Sequence, residues 1–293
     1  MLKYFDTPIQ EIFDKKLKES GIQLFVKRED LNHPFVSGNK WWKLKYNLEK
    51  AKALGHSTVL TFGGAFSNHI YATAAATKEL SLKSIGVIRG EETLPLNKTL
   101  AFAKQNGMDF HFISREDYKG KTEQDFITRL KEKFGDFYLI PEGGTNKLAV
   151  EGCAQFAQEK LSNLDFDYVC LPVGTGGTMA GIISGLNGKG KVIGVSVLKE
   201  GGFLRDEIKG LVREFSGKEF PNWHLETDYH FGGYAKKTAE LEEFLLRMAR
   251  EQNLQLEFVY SGKMVAGVFD LIRKNYFVRG SKILLLHTGG LRD

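Results

Sequence analysis

Short apolar runs alternate with amphipathic, helix-like segments along most of the chain. One regular alternation covers residues 55 to 145, and a second begins near Val150 and ends with the apolar run 283–287. Strands that alternate with helices favour parallel sheets joined by right-handed crossovers. The pattern therefore predicts an α/β protein with two open parallel-sheet domains, and a ligand crevice between them at the carboxyl ends of the strands.

Local signals predict the boundaries of several elements. From Lys40 onward, apolar residues recur at helical spacing as far as Gly55, which is a plausible stop for a helix. Residues 58–63 and 168–173 are strand candidates that lead directly into glycine-rich turns. A further short strand is expected just before Tyr260.

Composition narrows the class of protein. The chain has 293 residues, of which 42% are hydrophobic and 26% charged, with a net charge of +5. Basic residues are spread along the chain, so no nucleic-acid partner is expected, and no apolar run approaches the roughly 18 residues of a membrane-spanning helix. The N-terminus lacks the apolar core of a signal peptide, which favours a cytoplasmic protein. Cys153 and Cys170 form no CxxC pair, so we expect buried thiols and no metal site.

Lys40 is the first candidate for chemistry. It follows Ser-Gly-Asn at the start of the predicted helix, where the helix dipole disfavours a cation. A lysine that loses hydration beside other positive charge has a lowered pKa and becomes an amine nucleophile that can form a Schiff base. The alternative interpretation is that Lys40 is one of the chain's many solvated surface lysines.

The second candidate is the glycine loop, residues 174–178, between a strand and a helix. Its members are Gly174, Thr175, Gly176, Gly177 and Thr178. Backbone amides, threonine hydroxyls and the helix dipole suit a phosphate group. The loop lacks the Gly-Lys-Ser/Thr of a nucleoside-triphosphate loop and the spacing of a dinucleotide loop, so a phosphate monoester is favoured. The alternative is a glycine turn needed only for packing.

Ser67, Asn68 and His69 open another helix after a strand and two glycines. Backbone amides at a helix N-terminus can hold a carboxylate, and Ser67 could move a proton. An ordinary N-cap serine and a structural histidine are the alternatives.

Two tyrosines and a threonine complete the set of candidates. Tyr260 lies at the start of a predicted helix, where it can stack on a planar ring or donate a proton, or simply anchor the core. Tyr234 follows Phe-Gly-Gly and is a similar but weaker candidate. Thr288 ends the last apolar run, where its hydroxyl can meet a ligand in the crevice or cap a turn.

Taken in order, these segments resemble the pyridoxal-phosphate family of 1-aminocyclopropane-1-carboxylate (ACC) deaminase and D-cysteine desulfhydrase, which has the tryptophan-synthase-β type fold. The motifs are Lys-Arg-Glu-Asp, Gly-Asn-Lys-x-x-Lys, Ser-Asn-His, the glycine loop, Tyr-x-Gly-Lys and His-Thr-Gly-Gly. The resemblance implies a pyridoxal 5′-phosphate (PLP) cofactor, a small amino-acid substrate and a homodimer. It also implies a large PLP-binding domain of residues 1–50 and 151–293, with residues 51–150 as a small domain inserted in it.

The resemblance assigns roles toward the cofactor. Lys40 would form the covalent link to PLP, and Lys43, one helical turn on, would bind the phosphate together with the glycine loop. Asn68 would pair with the ring hydroxyl. Thr288 would be a neutral partner of the ring nitrogen.

Other residues would meet the substrate. Ser67 and the amides of Asn68 and His69 would hold the substrate carboxylate. Tyr260 and Tyr234 would face the ring and the substrate.

Some positions depart from the deaminase pattern. Deaminases of this family carry a glutamate directly after the tyrosine, next to the pyridine nitrogen, and a leucine before the final Gly-Gly, where this chain has Ser261 and Thr288. A carboxylate keeps that nitrogen protonated and strengthens the electron sink, whereas a neutral hydroxyl suits a good leaving group such as thiolate. His69, which is glutamine in deaminases, also favours the desulfhydrase branch. After Tyr234, residues 235–238 replace the Gly-Leu-Pro-Asn of relatives, which leaves the role of that tyrosine open.

The sequence thus predicts a PLP-dependent lyase that catalyses α,β-elimination on a small amino acid. D-cysteine is the first expected substrate, with pyruvate, sulfide and ammonia as products. ACC deaminase activity is the alternative within the family. A non-catalytic protein that binds a phosphate ligand on the same fold is a second alternative, and a nicotinamide dehydrogenase is disfavoured by the spacing of the glycine loop.

Overall fold

A computed structural model describes residues 2–291 of the chain as two β-sheets with helices packed around them. The strands are β1 (Ile9–Ile12), β2 (Gln23–Lys27), β3 (Thr58–Gly64), β4 (Lys83–Arg89), β5 (Met108–Ile113), β6 (Tyr138–Ile140), β7 (Tyr168–Val173), β8 (Lys191–Ser196), β9 (Trp223–Glu226) and β10 (Lys282–Leu286). The helices are α1 (Lys15–Ser20), α2 (Asn39–Ala53), α3 (Asn68–Glu79), α4 (Lys98–Gln105), α5 (Gln124–Phe134), α6 (Lys147–Phe156), α7 (Gly177–Leu186), α8 (Leu204–Ser216), α9 (Ala239–Gln252) and α10 (Ser261–Arg273).

The two sheets follow the two alternations seen along the sequence. One sheet has the strand order β1-β2-β10-β7-β8-β9, and the other has the order β5-β4-β3-β6. All neighbouring strands pair in parallel except β1 and β2, which are antiparallel. The predicted α/β class with two open parallel sheets is confirmed, with one antiparallel edge strand added to the larger sheet.

The ends of α2 and α3 lie where the capping residues of the sequence predict them. Ser67 is the N-cap of α3, and its hydroxyl oxygen accepts hydrogen bonds from the next amides, as Ser does when it satisfies free N–H groups at a helix start. Gly55 follows α2 with a φ of +79°, a left-handed conformation that glycine adopts without steric cost. The predicted helix between Lys40 and Gly55 is therefore confirmed.

The prediction of a strand before Tyr260 is wrong. The chain after α9 runs through residues 253–257 without strand pairing, turns over residues 258–260, and enters α10 at Ser261. A carboxylate takes the place of strand pairing, because Glu257 accepts hydrogen bonds from the amides of Val259, Tyr260 and Ser261 at 2.7, 2.8 and 2.6 Å. The apolar run was too short to distinguish a strand from a capped turn.

The largest cluster of buried apolar side chains joins the two sheets. It contains Leu44 and Leu48 of α2 and Val150 of α6, together with Val59 and Ile140 from the smaller sheet. Because this core is continuous, sheet membership alone does not define two independent units. The division into residues 1–50 with 151–293 and 51–150 therefore stays a prediction.

Three further features of the structure concern thiol pairs, membrane-spanning helices and metal sites. Cys153 and Cys170 are both buried with free thiols. Across residues 2–291, no helix combines the length and apolar character needed to cross a membrane, and no group of three or more His, Cys, Asp or Glu side chains is arranged to hold a metal ion.

Most candidate segments follow the carboxyl ends of parallel strands, whereas Tyr260 follows α9. The loops after β2, β3, β6, β7 and β10 contain, in turn, the motifs before Lys40, the Ser67 turn, residues 141–145, the glycine loop and Thr288. In open α/β sheets, ligands bind in the crevice at this edge. The fold thus brings five distant stretches of sequence to one place.

Candidate active site

A buried carboxylate anchors the segment that precedes Lys40. Glu29 is 2% exposed and accepts hydrogen bonds from the indole of Trp42 at 2.9 Å and the amide of Asn32 at 3.1 Å. Asn32 in turn accepts from the Gly38 amide at 2.9 Å and donates to the Gly38 carbonyl at 3.1 Å. The Lys-Arg-Glu-Asp motif therefore fixes the turn that starts α2.

Gly38 packs directly on the loop that contains Thr288. A Cβ built on Gly38 would lie 1.9 Å from the Thr288 carbonyl oxygen, and the amide of Asn39 donates to that oxygen at 3.3 Å. Asn39 also donates from its side chain to the Thr178 hydroxyl at 2.8 Å. Two distant loops thus hold the residue immediately before Lys40.

Lys40 is the second residue of α2 and lies half-buried in the crevice. Its Nζ is 3.4 Å from the Asn39 side-chain oxygen. Burial lowers the pKa of Lys40 to about 8, although the nearby carboxylate of Glu257 opposes the shift. At pH 7 about a tenth of Lys40 is then the neutral amine, against fewer than about one in a thousand for an ordinary lysine. These features agree with the expected lysine of lowered pKa, and the role of Lys40 as the cofactor lysine stays a prediction.

Lys43 and three other polar groups line a second part of the crevice. Lys43 is 1% exposed, and its ammonium donates to the Thr145 hydroxyl at 2.8 Å. The Thr145 hydroxyl in turn lies 2.6 Å from the Thr175 hydroxyl. A Cβ on Gly177 would lie 3.4 Å from the Lys43 Nζ. Lysine, hydroxyl groups and the N-terminus of α7 therefore converge, as an anion-binding site requires.

These groups fit the phosphate of PLP. Burial, followed by the charge of Lys40, lowers the pKa of Lys43 to about 7, so an anion there would restore its ordinary protonation. Gly176 has a φ of +79°, and a Cβ on Gly177 would meet the Thr145 side chain at 2.9 Å, so both positions require glycine and the backbone of the loop lies close to Thr145 and Lys43. The role of the glycine loop as the phosphate cradle stays a prediction, which the nearby Lys43 and threonine hydroxyls support.

Sulfate binding should report on Lys43. Sulfate is a dianion throughout the neutral range, and binding above pH 7 must be accompanied by proton uptake at Lys43. We expect the affinity of the cofactor-free protein for sulfate to fall between pH 7 and 9, by up to about tenfold per pH unit. Calorimetry in buffers of different ionisation enthalpy measures both the affinity and the proton uptake.

The matched control for the sulfate titration is a lysine on the same helix. Lys43→Met should weaken sulfate binding and remove most of its pH dependence. Lys45→Met should change neither, because the Lys45 ammonium binds Gln155 outside the cradle. An affinity that does not vary with pH in the unmodified protein would contradict the lowered pKa of Lys43.

The Ser67 turn approaches the same crevice. Asn68 packs on the final glycines, since a Cβ on Gly290 would lie 2.5 Å from the Asn68 side-chain nitrogen. The Ser67 hydroxyl oxygen accepts from the amides of His69 and Ile70 at 3.2 and 3.3 Å. A substrate carboxylate at this helix start would share the His69 amide with Ser67, so the N-cap role and the predicted binding role compete.

The His69 ring is a buried part of the scaffold. The ring nitrogen Nε2 lies 2.8 Å from the Thr61 hydroxyl, whose single proton is donated to the Ile140 carbonyl at 2.8 Å. Nε2 must therefore carry the ring proton, and Nδ1 is a buried acceptor without a partner among the described residues. Burial, with the charges of Lys40 and Lys43, holds the pKa of His69 well below its usual range. The ring is therefore neutral and supplies no positive charge to a substrate carboxylate.

The two candidate tyrosines lie together. The rings of Tyr234 and Tyr260 meet edge to face with centroids 6.0 Å apart. A Cβ on Gly174 would lie 3.0 Å from the Tyr260 ring, so the ring borders the glycine loop. Burial, followed by the interaction with Tyr234, raises the pKa of Tyr260 well above its ordinary value. At neutral pH Tyr260 is therefore a proton donor and not a base.

Ser261 has an unsatisfied hydroxyl. The residue is 0% exposed, and its oxygen has no hydrogen-bond partner among residues 2–291. A buried hydroxyl usually has a partner, so the orphaned hydroxyl of Ser261, together with the predicted Thr288, fits a neutral environment for a ligand atom such as a ring nitrogen. No carboxylate follows the tyrosine at this place.

Sequence reasoning missed several residues of the crevice. Thr145 completes the anion cradle, and Asn39 links Lys40 to the glycine loop. Thr145 ends a Glu-Gly-Gly-Thr run after a strand, a composition similar to that of the glycine loop, and that similarity could have identified it. Glu257 had no such signal, because an isolated glutamate does not show which amides it caps.

Comparison with known proteins agrees with this geometry. The profile of the family described as pyridoxal-phosphate-dependent enzymes matches residues 1–289. A putative ACC deaminase of Pyrococcus horikoshii is 32% identical over 98% of this chain and 90% of its own length. A mitochondrial bifunctional D-cysteine desulfhydrase/ACC deaminase of Arabidopsis thaliana is 33% identical over 93% of this chain and 73% of its own length.

A solved structure agrees as well. The crystal structure of an ACC deaminase homologue superimposes with a TM-score of 0.85 and 30% identity, covering 99% of this chain and 91% of that one. The buried lysines, the glycine cradle and these similarities lead to one conclusion: the chain belongs to the pyridoxal-phosphate-dependent enzymes, in the family of ACC deaminases and D-cysteine desulfhydrases.

Proposed function

We propose that this PLP-dependent lyase catalyses α,β-elimination on a small amino acid with a good β-leaving group, with D-cysteine as the first substrate. D-cysteine and water would give pyruvate, hydrogen sulfide and ammonia. The observation that carries the proposal is the buried, unpartnered hydroxyl of Ser261, in the position after Tyr260 where deaminases carry a glutamate. A neutral hydroxyl leaves the ring nitrogen without a proton, which suffices when thiolate is the leaving group.

Lys40 is the group to which we assign the α-proton. When bound, PLP supplies an electron-withdrawing ring that stabilises negative charge at the substrate α-carbon. The pKa of Lys40, lowered by burial to about 8, makes its amine both a nucleophile and a base near neutral pH. The raised pKa of Tyr260 argues against that residue as the base, and we assign it the donation of a proton to the departing sulfur.

Binding groups surround these two residues. Lys43, Thr145 and the glycine loop would hold the cofactor phosphate. The N-terminus of α3, with Ser67, would hold the substrate carboxylate, and Asn68 would pair with the ring hydroxyl. The homodimer implied by the family resemblance stays a prediction.

The second candidate is ACC deaminase activity. Its support is that relatives such as the Pyrococcus protein and the structural neighbour are named for ACC deaminase. The two activities give different keto acids, 2-oxobutanoate from ACC and pyruvate from D-cysteine. Product identity therefore separates the candidates.

Steady-state assays of the purified holoenzyme test the proposal. We expect kcat/KM for D-cysteine to exceed that for ACC by at least about a hundredfold, a difference of about 2.7 kcal/mol in transition-state stabilisation. L-cysteine serves as the control for the configuration at the α-carbon. Turnover of ACC at a comparable or higher rate would assign the chain to the deaminases instead.

A further inference from the structure

Lys263 is a buried cation that the reaction does not use. It is 0% exposed and is the third residue of α10, where the helix dipole disfavours a positive charge. Burial lowers its pKa to about 8, so at pH 7 roughly nine in ten of these side chains are protonated. A buried ammonium in this location requires strong partners.

The partners of Lys263 are backbone carbonyls in the segment before Tyr234. Its Nζ donates to the His230 carbonyl at 2.8 Å and to the Gly233 carbonyl at 2.6 Å. The same two carbonyls also accept from the amides of Gly233 and Lys236, at 3.0 and 3.1 Å. One ammonium group thus closes both successive turns of the segment 230–236.

This segment has a backbone that its own sequence does not favour. Phe231 and Ala235 adopt φ values of +48° and +54°, a left-handed conformation that residues with a Cβ seldom adopt. Gly232 and Gly233 are left-handed as well, at +91° and +111°. Such a conformation persists only where the surroundings impose it.

Tyr234 lies in the middle of this constrained segment. Its ring meets Tyr260 edge to face at 6.0 Å, and Tyr260 immediately precedes α10. The first turn of α10 therefore contains the Ser261 hydroxyl and Lys263, next to the Tyr260 ring. The two bonds from Lys263 to the carbonyls of His230 and Gly233 are called the tether below. The same helix start thus contacts the segments that contain both tyrosines.

We propose that Lys263 is a positioning residue that holds Tyr234 against Tyr260 at the crevice through its two carbonyl bonds. This inference deepens the proposed function and rests on it, because it assumes that Tyr234 acts beside the substrate. It also explains how Tyr234 could be held in place although residues 235–238 lack the Gly-Leu-Pro-Asn sequence of relatives. The tether, and not the sequence after the tyrosine, would fix Tyr234.

A double-mutant cycle tests whether Lys263 acts through Tyr234. Lys263→Met keeps the length and apolar volume of the side chain and removes the ammonium. We expect it to lower kcat/KM by about tenfold or more with the visible cofactor absorption retained, as Tyr234→Ala should. In the Tyr234→Ala background, Lys263→Met should cost less than about a further twofold.

Limited trypsin digestion tests the tether without a substrate. Lys236 ends the bonded segment and Lys237 follows it, and both side chains are exposed. Release of the segment should let their backbone unfold locally into the extended form that trypsin cleaves. We expect cleavage after these two lysines to be at least about fivefold faster in Lys263→Met. Lys263→Gln, which keeps two N–H donors, should be cleaved more slowly than Lys263→Met and should recover part of the activity.

Lys189→Met is the matched control. The Lys189 ammonium also bonds two backbone carbonyls, those of Ser162 and Leu164 at 2.5 and 2.6 Å, but at the amino end of β8, away from the crevice. It should change neither kcat/KM nor cleavage at Lys236 and Lys237.

Two results would overturn the inference. One is a double variant whose loss of kcat/KM equals the product of the losses in Lys263→Met and Tyr234→Ala. The other is a rate of trypsin cleavage that is unchanged in Lys263→Met. If Lys263→Met does not fold, the same cycle and digestion with Lys263→Gln decide between the two outcomes. If the unmodified enzyme turns over neither D-cysteine nor ACC, the proposed function fails, and the digestion still decides whether Lys263 holds the segment.

Discussion

Replacing Lys40 with alanine should lower kcat by about a thousandfold or more and remove the covalent bond between protein and cofactor. Lys40 combines a half-buried location at the start of α2 with a pKa lowered to about 8. Lys43 is a poor substitute as the reactive amine, since the residue is 1% exposed and its ammonium is bonded to the Thr145 hydroxyl. The visible absorption spectrum before and after borohydride, with mapping of the labelled peptide, measures the bond.

Lys40→Arg is the control for the Lys40 experiment. Arginine keeps the positive charge and the helix position, but its guanidinium does not deprotonate and cannot serve as the amine. Both variants should bind PLP reversibly, because Lys43 and the glycine loop are untouched. Normal turnover with a borohydride-trapped cofactor in Lys40→Ala would refute the assignment.

The substitution Gly38→Ala should destabilise the protein by about 3 kcal/mol or more and abolish stable cofactor binding. Gly38 has φ of +68° and ψ of −140°, and an added Cβ would lie 1.9 Å from the Thr288 oxygen. The obstructing atoms belong to the backbone, so they cannot rotate away. Movement of Gly38 would break its two bonds to Asn32 and shift Lys40 with the start of α2.

Gly55→Ala separates the clash from the backbone strain. Gly55 also has a positive φ, +79°, but a Cβ there would meet nothing within 4 Å. Its replacement should therefore cost only about 1 kcal/mol, with cofactor binding intact. Urea denaturation of both variants, with visible absorption as a second signal, measures the difference. Equal losses in the two variants would show that the contact with the Thr288 loop is unimportant.

Short elements show where the sequence signal is weak. Strand β1 and strand β9 have four residues each, and helix α1 has six, and none of the three was predicted. β1 presents alternating exposure as the antiparallel edge of the larger sheet, with Ile9 42% exposed. Segments of this length are stabilised by pairing and docking, and their own composition decides little.

Long elements and their caps were predictable because the relevant interactions are local. Apolar spacing indicated α2, and Ser67 and Gly55 act within a few residues of the helix ends that they define. The residue types of the motifs also pointed to a lysine, a phosphate cradle and a helix N-terminus in one crevice. The family profile and the similar structure confirm the family and the cofactor that those motifs implied.

The sequence by itself determined the α/β class, the parallel sheets, the lysine-containing helix and the glycine loop, because periodicity, capping and glycine conformations act over a few residues. Only the tertiary structure decided which groups meet across the crevice. The bond from Lys43 to Thr145 spans 102 residues, and Lys263 reaches back 33 residues to His230. Contacts of this range depend on strand order and sheet packing, which no local pattern specifies.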